Sequence, residues 1–389
     1  MTAPNVADTS RRKFLATSGA ISGGLLVAGA VQADVPLAPP DKQPPELSIP
    51  QPVDRKVGWA IVGLGKLALE EVLPAFTECQ LSRPVALVSG HPDKARQVAK
   101  AYGLDTNNIY DYENYGRMAD NRDIEAVYII LPNSMHAEYT IRALQAGKHV
   151  LCEKPMAASV PECEQMIRAA RDADRKLMIA YRLRYEPFNK KVISLCAEKK
   201  LGKVKVISAS NSQQVSAPNI RLSRDLHGGP LGDVGIYCLN AARYITGREP
   251  IEVSGYSHQP QNDPRFREVP ESVNFMLKFA DGVQAHCSCS FGAAESRFYR
   301  VECTEGVIEL EDAFAYRGQQ LFVTTADGQE RQKIAAVNHF AAEMDHFSDC
   351  ILRGKSPRTP GAEGLADMRA IGAIEESCRS GRSVRVAQD

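Results

Sequence analysis

The first half of the chain alternates short apolar runs with segments of helical periodicity. Val57 to Val62, Val85 to Val88, Ala126 to Leu131, His149 to Cys152 and Leu177 to Ala180 each read as a strand buried on both faces. Between them, Leu69, Val72, Leu73 and Phe76 recur at helical spacing, and further helices are expected from Met135 towards Gln145 and from Pro161 to Ala173. Pro132-Asn133-Ser134 is expected to cap the first of these and Gly147 to stop it. Continuous apolar strands separated by helices predict a doubly wound, parallel α/β sheet.

After roughly Phe188 the pattern changes to strands of mixed exposure: Lys203 to Ser210, Ile251 to Tyr256, Ser272 to Phe279, Val283 to Phe291, Arg297 to Cys303 and Val307 to Glu311. Gly282 and Gly306 fall where hairpin turns belong. Helical patterns return from Asn338 to Ile351 and from Ala362 to Cys378. The expected second domain is therefore α+β, with an open, mostly antiparallel sheet.

The candidate chemistry begins where the first strand ends. Gly63-Leu64-Gly65-Lys66-Leu67-Ala68 is a G-x-G-x-x-A pattern set between a strand and a helix, where backbone amides meet a pyrophosphate at a helix N-terminus. The second strand ends in Ser89-Gly90-His91-Pro92-Asp93-Lys94, without the acidic residue that grips an adenosine ribose hydroxyl. Ser89 and Lys94 suit a 2'-phosphate instead, which favours NADP over NAD; the alternative for Lys94 is a solvated helix residue.

Two distant segments add a proton-transfer pair, Cys152-Glu153-Lys154-Pro155 and Leu231-Gly232-Asp233-Val234-Gly235-Ile236-Tyr237. A tyrosine hydroxyl ordinarily titrates near 10 and serves as a base only when a nearby cation stabilises its phenolate, which an ammonium such as Lys154 supplies. Asp233 lies one helical turn before Tyr237, placed to orient a sugar hydroxyl or the lysine. Arg182 and Tyr185 are candidates for sugar hydroxyl contacts, with surface ion pairs as the alternative. His136 and His149 have no partners at metal-ligand spacing, so no metal is expected.

Composition narrows the function. Lysine plus arginine and aspartate plus glutamate are balanced at 47 each, so no basic field exists to attract nucleic acid or an anionic membrane. At 389 residues, 44% of them apolar, the chain is long enough for two cores. Its ten cysteines form no Cys-x-x-Cys pair, and Cys287 and Cys289 alternate with Ser288 as packing residues on one strand face. Ser10-Arg11-Arg12-Lys13-Phe14-Leu15, a mildly apolar stretch and Val31-Gln32-Ala33 read as a cleaved twin-arginine leader, with no stable membrane insertion afterwards. A proline-rich segment follows, either a linker or an arm docking on a neighbouring subunit.

Through Gly63-Leu64-Gly65-Lys66, Ala86 to Gly90, Tyr128 to Ser134, His149 to Met156 and Gly232 to Tyr237, the chain resembles the glucose-fructose oxidoreductase and inositol dehydrogenase family, in particular its periplasmic branch. The resemblance implies an N-terminal Rossmann domain, a tightly held, non-dissociating NADP, and a homo-oligomer, dimer or tetramer, built through the large sheets with exchanged arms. It implies a leader at 1–33, an arm at 34–55, an NADP-binding domain at 56–181 and a substrate-binding and oligomerisation domain at 182–389, with room for the C-terminal helices to pack back on the Rossmann domain. Cofactor contacts are then expected from Gly63, Leu64, Gly65, Lys66, Leu67, Ser89, Lys94, Leu131, Pro132, Asn133, His136, Glu153 and Lys154. Lys154, Asp233 and Tyr237 are the expected catalytic residues, and Arg182, Tyr185, Asp233 and Tyr237 the expected sugar contacts. The loop from Asn211 to Leu226, with Arg221 and Arg224, bears on which sugars fit.

The expected function is a periplasmic sugar oxidoreductase that oxidises an aldose such as glucose and reduces a second sugar such as fructose or another aldose. A simple aldose dehydrogenase with exchanging NADP is one alternative. A noncatalytic sugar or nucleotide sensor is another, since a fold does not guarantee chemistry.

Overall fold

The computed structural model describes residues 55–388; the expected leader, and the arm apart from Arg55, lie outside the described residues. The first sheet contains β1 (Val57–Val62), β2 (Ser82–Val88), β3 (Ile109–Tyr110), β4 (Ala126–Ile129), β5 (His149–Glu153) and β6 (Leu177–Ala180). Their order is β3-β2-β1-β4-β5-β6 and every pairing is parallel. β1 and β4 are buried along their whole length, as their unbroken apolar sequences require. Between β1 and β4 the strand order reverses, and ligands of doubly wound sheets bind beyond the carboxyl ends of the strands at that point.

Helices α1 (Pro92–Ala101), α2 (His136–Gln145) and α3 (Val160–Asp172) link these strands. The Pro132-Asn133-Ser134 segment runs into a single tight turn, and the residue before α2 is Met135, so the expected side-chain cap does not form. Gly147 does end that helix, with φ of 75°.

The second sheet has nine strands in the order β14-β13-β12-β11-β7-β10-β9-β8-β15. These are β7 (Val204–Ser212), β8 (Pro250–His258), β9 (Ser272–Phe279), β10 (Gln284–Ser290), β11 (Ser296–Cys303), β12 (Val307–Glu311), β13 (Gln320–Thr325), β14 (Gly328–Gln332) and β15 (Val384–Arg385). Among these described strands only the β7–β10 pairing is parallel. β9 shows the logic of the sheet: Val273, Phe275, Leu277 and Phe279 are buried and Met276 is exposed. The sequence did not announce β13 to β15; β14 is polar and exposed, and an edge strand with no buried face leaves no apolar alternation to read. Helices α4 (Pro187–Ala197), α5 (Ile236–Thr246), α6 (His339–Leu352) and α7 (Gly361–Ser380) complete the described elements used below.

The chain forms two compact units that are not contiguous in sequence. One runs to Glu153 and also holds Gln165–Ala180 and Phe340–Pro360; the other comprises Lys154–Glu164, Tyr181–His339 and Gly361 onward. Relative to a single break after residue 181, α6 therefore joins the parallel-sheet unit. There, Phe347 packs on Trp59 with ring centroids 5.8 Å apart, and Trp59 donates its indole N–H to the Ser348 hydroxyl.

In the second unit the scaffold converges on a buried carboxylate. Asp367 of α7 is fully buried and accepts hydrogen bonds from the Tyr181 hydroxyl, the Asn240 side chain and Arg243 Nη1, the last at 2.7 Å. Arg243 also forms a two-point bridge to Glu249, both contacts 2.6 Å. Burial pushes the Asp367 carboxyl up even against the pull of Arg243, so this charge is held where solvent would otherwise be needed. Asn240 and Arg243 lie on α5, the helix that carries Tyr237, and Tyr181 immediately precedes Arg182. Replacing Asp367 with Ala takes the buried carboxylate from Arg243, which keeps Glu249, and strands the Tyr181 and Asn240 donors. The substitution is expected to lower unfolding free energy by about 3–5 kcal/mol, measured by denaturant unfolding followed through the C-terminal unit; a loss below about 0.5 kcal/mol would show that the clamp does not hold the unit together.

Candidate active site

The glycine turn after β1 has the geometry of a phosphate cradle. Gly63 has φ of 94°, and a Cβ there would sit 2.2 Å from the Ile130 carbonyl oxygen, so only glycine lets the turn pass against the end of β4. At Gly65 a Cβ would meet nothing within 4 Å, and the Leu69 N–H returns to the Gly65 carbonyl at 3.0 Å to begin the helix. The bare backbone over the first helical turn, with Lys66 exposed beside it, fits a dinucleotide pyrophosphate. Leu64 is buried and Leu67 half-buried at the flanks of that turn.

Lys94 reaches this same turn: its Nζ donates to the Leu64 carbonyl at 3.2 Å, and burial lowers its pKa. That placement distinguishes it from a solvated helix residue. Ser89 is 4% exposed and its hydroxyl accepts the His91 N–H at 3.1 Å, so it shapes the loop after β2 in which a 2'-phosphate would lie. Leu131 and Asn133, after β4, are half-buried and Pro132 is buried.

Two expected cofactor contacts are committed elsewhere. His136 is fully buried with Nε2 2.9 Å from the Leu131 carbonyl oxygen, which fixes the 131–136 turn and shows no surface to a ligand. The Glu153 carboxylate accepts the Tyr128 hydroxyl at 2.8 Å inside the sheet. His149 has the structural role expected: Nδ1 accepts the Lys176 N–H, and burial pushes its pKa down to about 4.

The second unit assembles the residues expected to transfer protons. Lys154 Nζ donates to the Asp233 carbonyl at 2.7 Å and lies 3.3 Å from its Oδ1. Asp233 sits in a widened turn, Leu231–Gly235, where the Ile236 N–H reaches back to Leu231; this turn leads directly into α5. Gly235 is required there, since a Cβ would come 2.8 Å from Cys289 Sγ on β10. Lys154 Nζ lies 4.8 Å from the centre of the Tyr237 ring, and the ring packs 5.9 Å from Phe314. The lysine, aspartate and tyrosine singled out in sequence thus form one cluster.

Asp233 also receives a partner that sequence reasoning did not assign. Arg221 Nε donates to Oδ2 at 2.6 Å, and Gln213 approaches the same oxygen at 3.5 Å. Burial pushes the Asp233 carboxyl up, but Arg221 and Lys154 together outweigh it and hold the pKa at about 2. Asp233 is therefore ionised at neutral pH and organises two cations, more than the single orienting role read from its spacing. Arg221 lies in a single 3-10 turn, Ile220–Leu222, too short to read from periodicity, so only its position in the flagged 211–226 stretch hinted at a role.

Burial sets aside the surface alternative for Arg182. It is 5% exposed, not in a surface ion pair, and its terminal nitrogens donate to the backbone carbonyls of Phe314 (2.6 Å) and Ala315 (3.2 Å). Its guanidinium carbon lies 5.0 Å from the Tyr237 ring centre and 4.6 Å from that of Tyr316. Tyr185 closes the same turn through its N–H on the Arg182 carbonyl and is 5% exposed, leaving little of it open to a sugar. Cys287 and Cys289 are buried on β10, and burial raises both thiols out of the reactive range.

Residues 57–181 match the model described as an oxidoreductase family with an NAD-binding Rossmann fold, and residues 189–309 match the GFO/IDH/MocA C-terminal domain. The chain is 42% identical to the structure of an aldose-aldose oxidoreductase from Caulobacter crescentus complexed with glycerol, with a TM-score of 0.83 over 85% of this chain and 100% of that one. It is 30% identical to a D-xylose 1-dehydrogenase (NADP(+)) of Haloferax volcanii, over 84% of this chain and 99% of the relative. A 3-ketoreductase from Actinomadura kijaniata, solved with NADP and TDP-benzene, is 25% identical with a TM-score of 0.75, covering 83% of this chain and 98% of that one.

The Asp233 pair has a measurable acid signature. Its carboxyl titrates at about 2 when folded, against 3.8 ordinarily, so its stabilisation of about 2 kcal/mol is complete above about pH 4 and is lost as the pH falls through about 2. The stability difference between the parent chain and Asp233→Asn should therefore shrink on acidification across that window, as read from urea midpoints. A difference that stays constant there would show that Asp233 titrates normally.

Proposed function

The chain belongs to the GFO/IDH/MocA oxidoreductase family, and from that membership we propose an NADP-dependent sugar oxidoreductase that retains its cofactor, oxidising an aldose such as glucose at C1 to the lactone and reducing a second sugar such as fructose or another aldose. The observation that carries this reading is the Lys154 ammonium held by Asp233 and placed 4.8 Å from the Tyr237 ring. A cation fixed there stabilises negative charge developing on the phenol as its proton moves, which suits Tyr237 to proton transfer.

The chain's own residues divide the work. Gly63, Gly65 and the first helical turn bind the pyrophosphate, and Ser89 and Lys94 the 2'-phosphate. The nicotinamide, when bound, supplies the hydride acceptor and, once reduced, the donor. Tyr237 removes the anomeric hydroxyl proton of the aldose as C1 is oxidised, and delivers a proton to the carbonyl oxygen of the second sugar as that carbon is reduced. Lys154 carries no proton in either direction; its charge stays beside the ring, and Asp233 holds it in place.

Retention rests on the leader. A protein exported folded takes its cofactor along, and a compartment poor in free nucleotide favours an enzyme that recycles it; periplasmic localisation is proposed on the twin-arginine segment Ser10 to Leu15. The likeness to an aldose-aldose oxidoreductase supports a second sugar as acceptor. The likeness to D-xylose 1-dehydrogenases favours the second reading, an aldose dehydrogenase whose NADP exchanges. The open face of the large sheet, with Tyr256 75% and Met276 44% exposed, supports a homo-oligomer, a dimer or tetramer with the 34–55 arm exchanged.

The coupled reading predicts that protein purified without added nucleotide develops the near-ultraviolet absorbance of reduced nicotinamide when glucose is added, stoichiometric with protein, and loses it when the second sugar follows. An absolute need for added NADP would select the dehydrogenase reading. Tyr237→Phe removes a hydroxyl at almost constant volume and should lower turnover by about 10²- to 10⁴-fold while bound nucleotide is retained; undiminished turnover would end the base assignment.

A further inference from the structure

Helix α4 and strand β11 lie side by side in the second unit, and one hydrogen bond fixes their alignment: the Tyr299 hydroxyl donates to Asn189 Oδ1 at 3.0 Å. From that point Cys196 is seven positions further along the helix, a rise of about 10 Å, and Cys303 is four positions further along the strand, about 13 Å. Tyr299, Val301 and Cys303 alternate onto one face of β11, and Asn189, Val192 and Cys196 share one face of α4. The two runs end together, since the thiols of Cys196 and Cys303 are hydrogen-bonded to each other. Just beyond them the chain is stitched by the Lys203 N–H on Thr304 Oγ1, the Thr304 N–H on the Lys203 carbonyl and the Glu305 N–H on the Leu201 carbonyl, each 3.0 Å.

We propose that Cys196 and Cys303 are a disulfide site: a dithiol that a small-molecule or protein disulfide oxidises, stapling the last turn of α4 to the end of β11. The two thiols differ as such a reaction needs. Cys303 is half-buried, whereas Cys196 is 7% exposed. The hydrogen bond from Cys196 lowers the pKa of Cys303, and the same bond together with burial raises that of Cys196, so the sulfur within reach of an oxidant is the one that favours thiolate. The Cys303 thiolate attacks one sulfur of the oxidant, R–S–S–R, expelling RS⁻ and leaving a mixed disulfide. Cys196 gives its proton to the expelled RS⁻, and its thiolate attacks Cys303 Sγ, expelling the second RS⁻, which takes up the proton that Cys303 had released. The protein loses two hydrogens and two electrons, and the oxidant leaves as two RSH.

The grouping of Cys238, Cys287 and Cys289 does not offer this chemistry: each is at most 4% exposed, and burial raises each thiol. The Cys196–Cys303 bond closes a ring of about 100 residues that contains Arg221, Asp233 and Tyr237. Helix α4 packs on α5, the helix that carries Tyr237, while neither cysteine belongs to the cluster around that ring. Oxidation therefore acts on the stability of the unit that holds these residues and leaves their chemistry unchanged. An oxidising compartment, as proposed from the leader, supplies the disulfide oxidant after export.

The folded full chain is incubated with oxidised glutathione, alkylated, digested without reduction and mapped by mass. Two of the ten cysteines should escape alkylation, with Cys196 and Cys303 in one linked peptide two hydrogens lighter than its separate parts. The Tm of the second unit should rise by about 5–15 °C on oxidation and fall back when dithiothreitol is added. Cys303→Ser and Cys196→Ser should each abolish the link and the rise, and Cys196→Ser should accumulate glutathione on Cys303, the intermediate deprived of its second thiol. A parent protein that keeps all ten thiols, that stops with glutathione on Cys303, or that links other cysteines overturns the proposal, as does a Tm rise that persists in Cys303→Ser. Should Cys196→Ser fail to fold, the peptide map of the parent and the behaviour of Cys303→Ser decide on their own.

Discussion

A carboxylate buried beyond the reach of water has to be answered by donors, and in the second unit that requirement fixes the active residues. Asp367 gathers Tyr181, Asn240 and Arg243 around one side chain. Each of those donors sits beside a site residue: Tyr181 precedes Arg182, while Asn240 and Arg243 share a helix with Tyr237. The clamp therefore sets the register between the turn after β6 and α5 from a residue close to the C-terminus. Breaking a buried network of this kind leaves uncompensated charge, so the arrangement is rigid by energetic necessity.

Near Tyr237 the same physics runs with the opposite emphasis. Asp233 is a single carboxylate held by two cations, and its strongly depressed titration records how far those cations outweigh its burial. Lys154 and Arg221 thus share one carboxylate. In the proposed mechanism a phenolate at Tyr237 forms beside Lys154, which links the ion-pair geometry to proton transfer.

What could be read from the sequence was whatever is local or period-driven. Gly63 to Ala68 between a strand and a helix identified the nucleotide cradle because the chemistry and the turn occupy six consecutive positions. Lys154, Asp233 and Tyr237 were legible as two short motifs, although nothing in their spacing shows that Asp233 bonds to Lys154 across 79 positions. Arg182 and Arg221 were visible as residues and illegible as roles. Arg182 owes its placement to carbonyls 132 and 133 positions away, and Arg221 lies in a single 3-10 turn too short to read from periodicity, its side chain reaching Asp233 twelve positions on. His136, near the cofactor motif, meets the Leu131 carbonyl and braces the 131–136 turn, a contact its position alone did not show.

An enzyme that alternates between oxidising one sugar and reducing another needs a proton carrier that works equally in both directions, because each half-reaction reverses the other's proton flow. That demand argues against a partner whose charge changes near neutral pH. Near Tyr237, Asp233 remains ionised at neutral pH and the arginines remain charged, which suits the proposed two-way proton transfer. Discrimination between sugars then falls to groups that touch hydroxyls without carrying the proton. Arg221 is the clearest meeting point of the two tasks, since its Nε is spent on Asp233 while its side chain stays 43% exposed on the 211–226 loop. Changes in that loop should accordingly shift sugar preference before they disturb the proton couple itself.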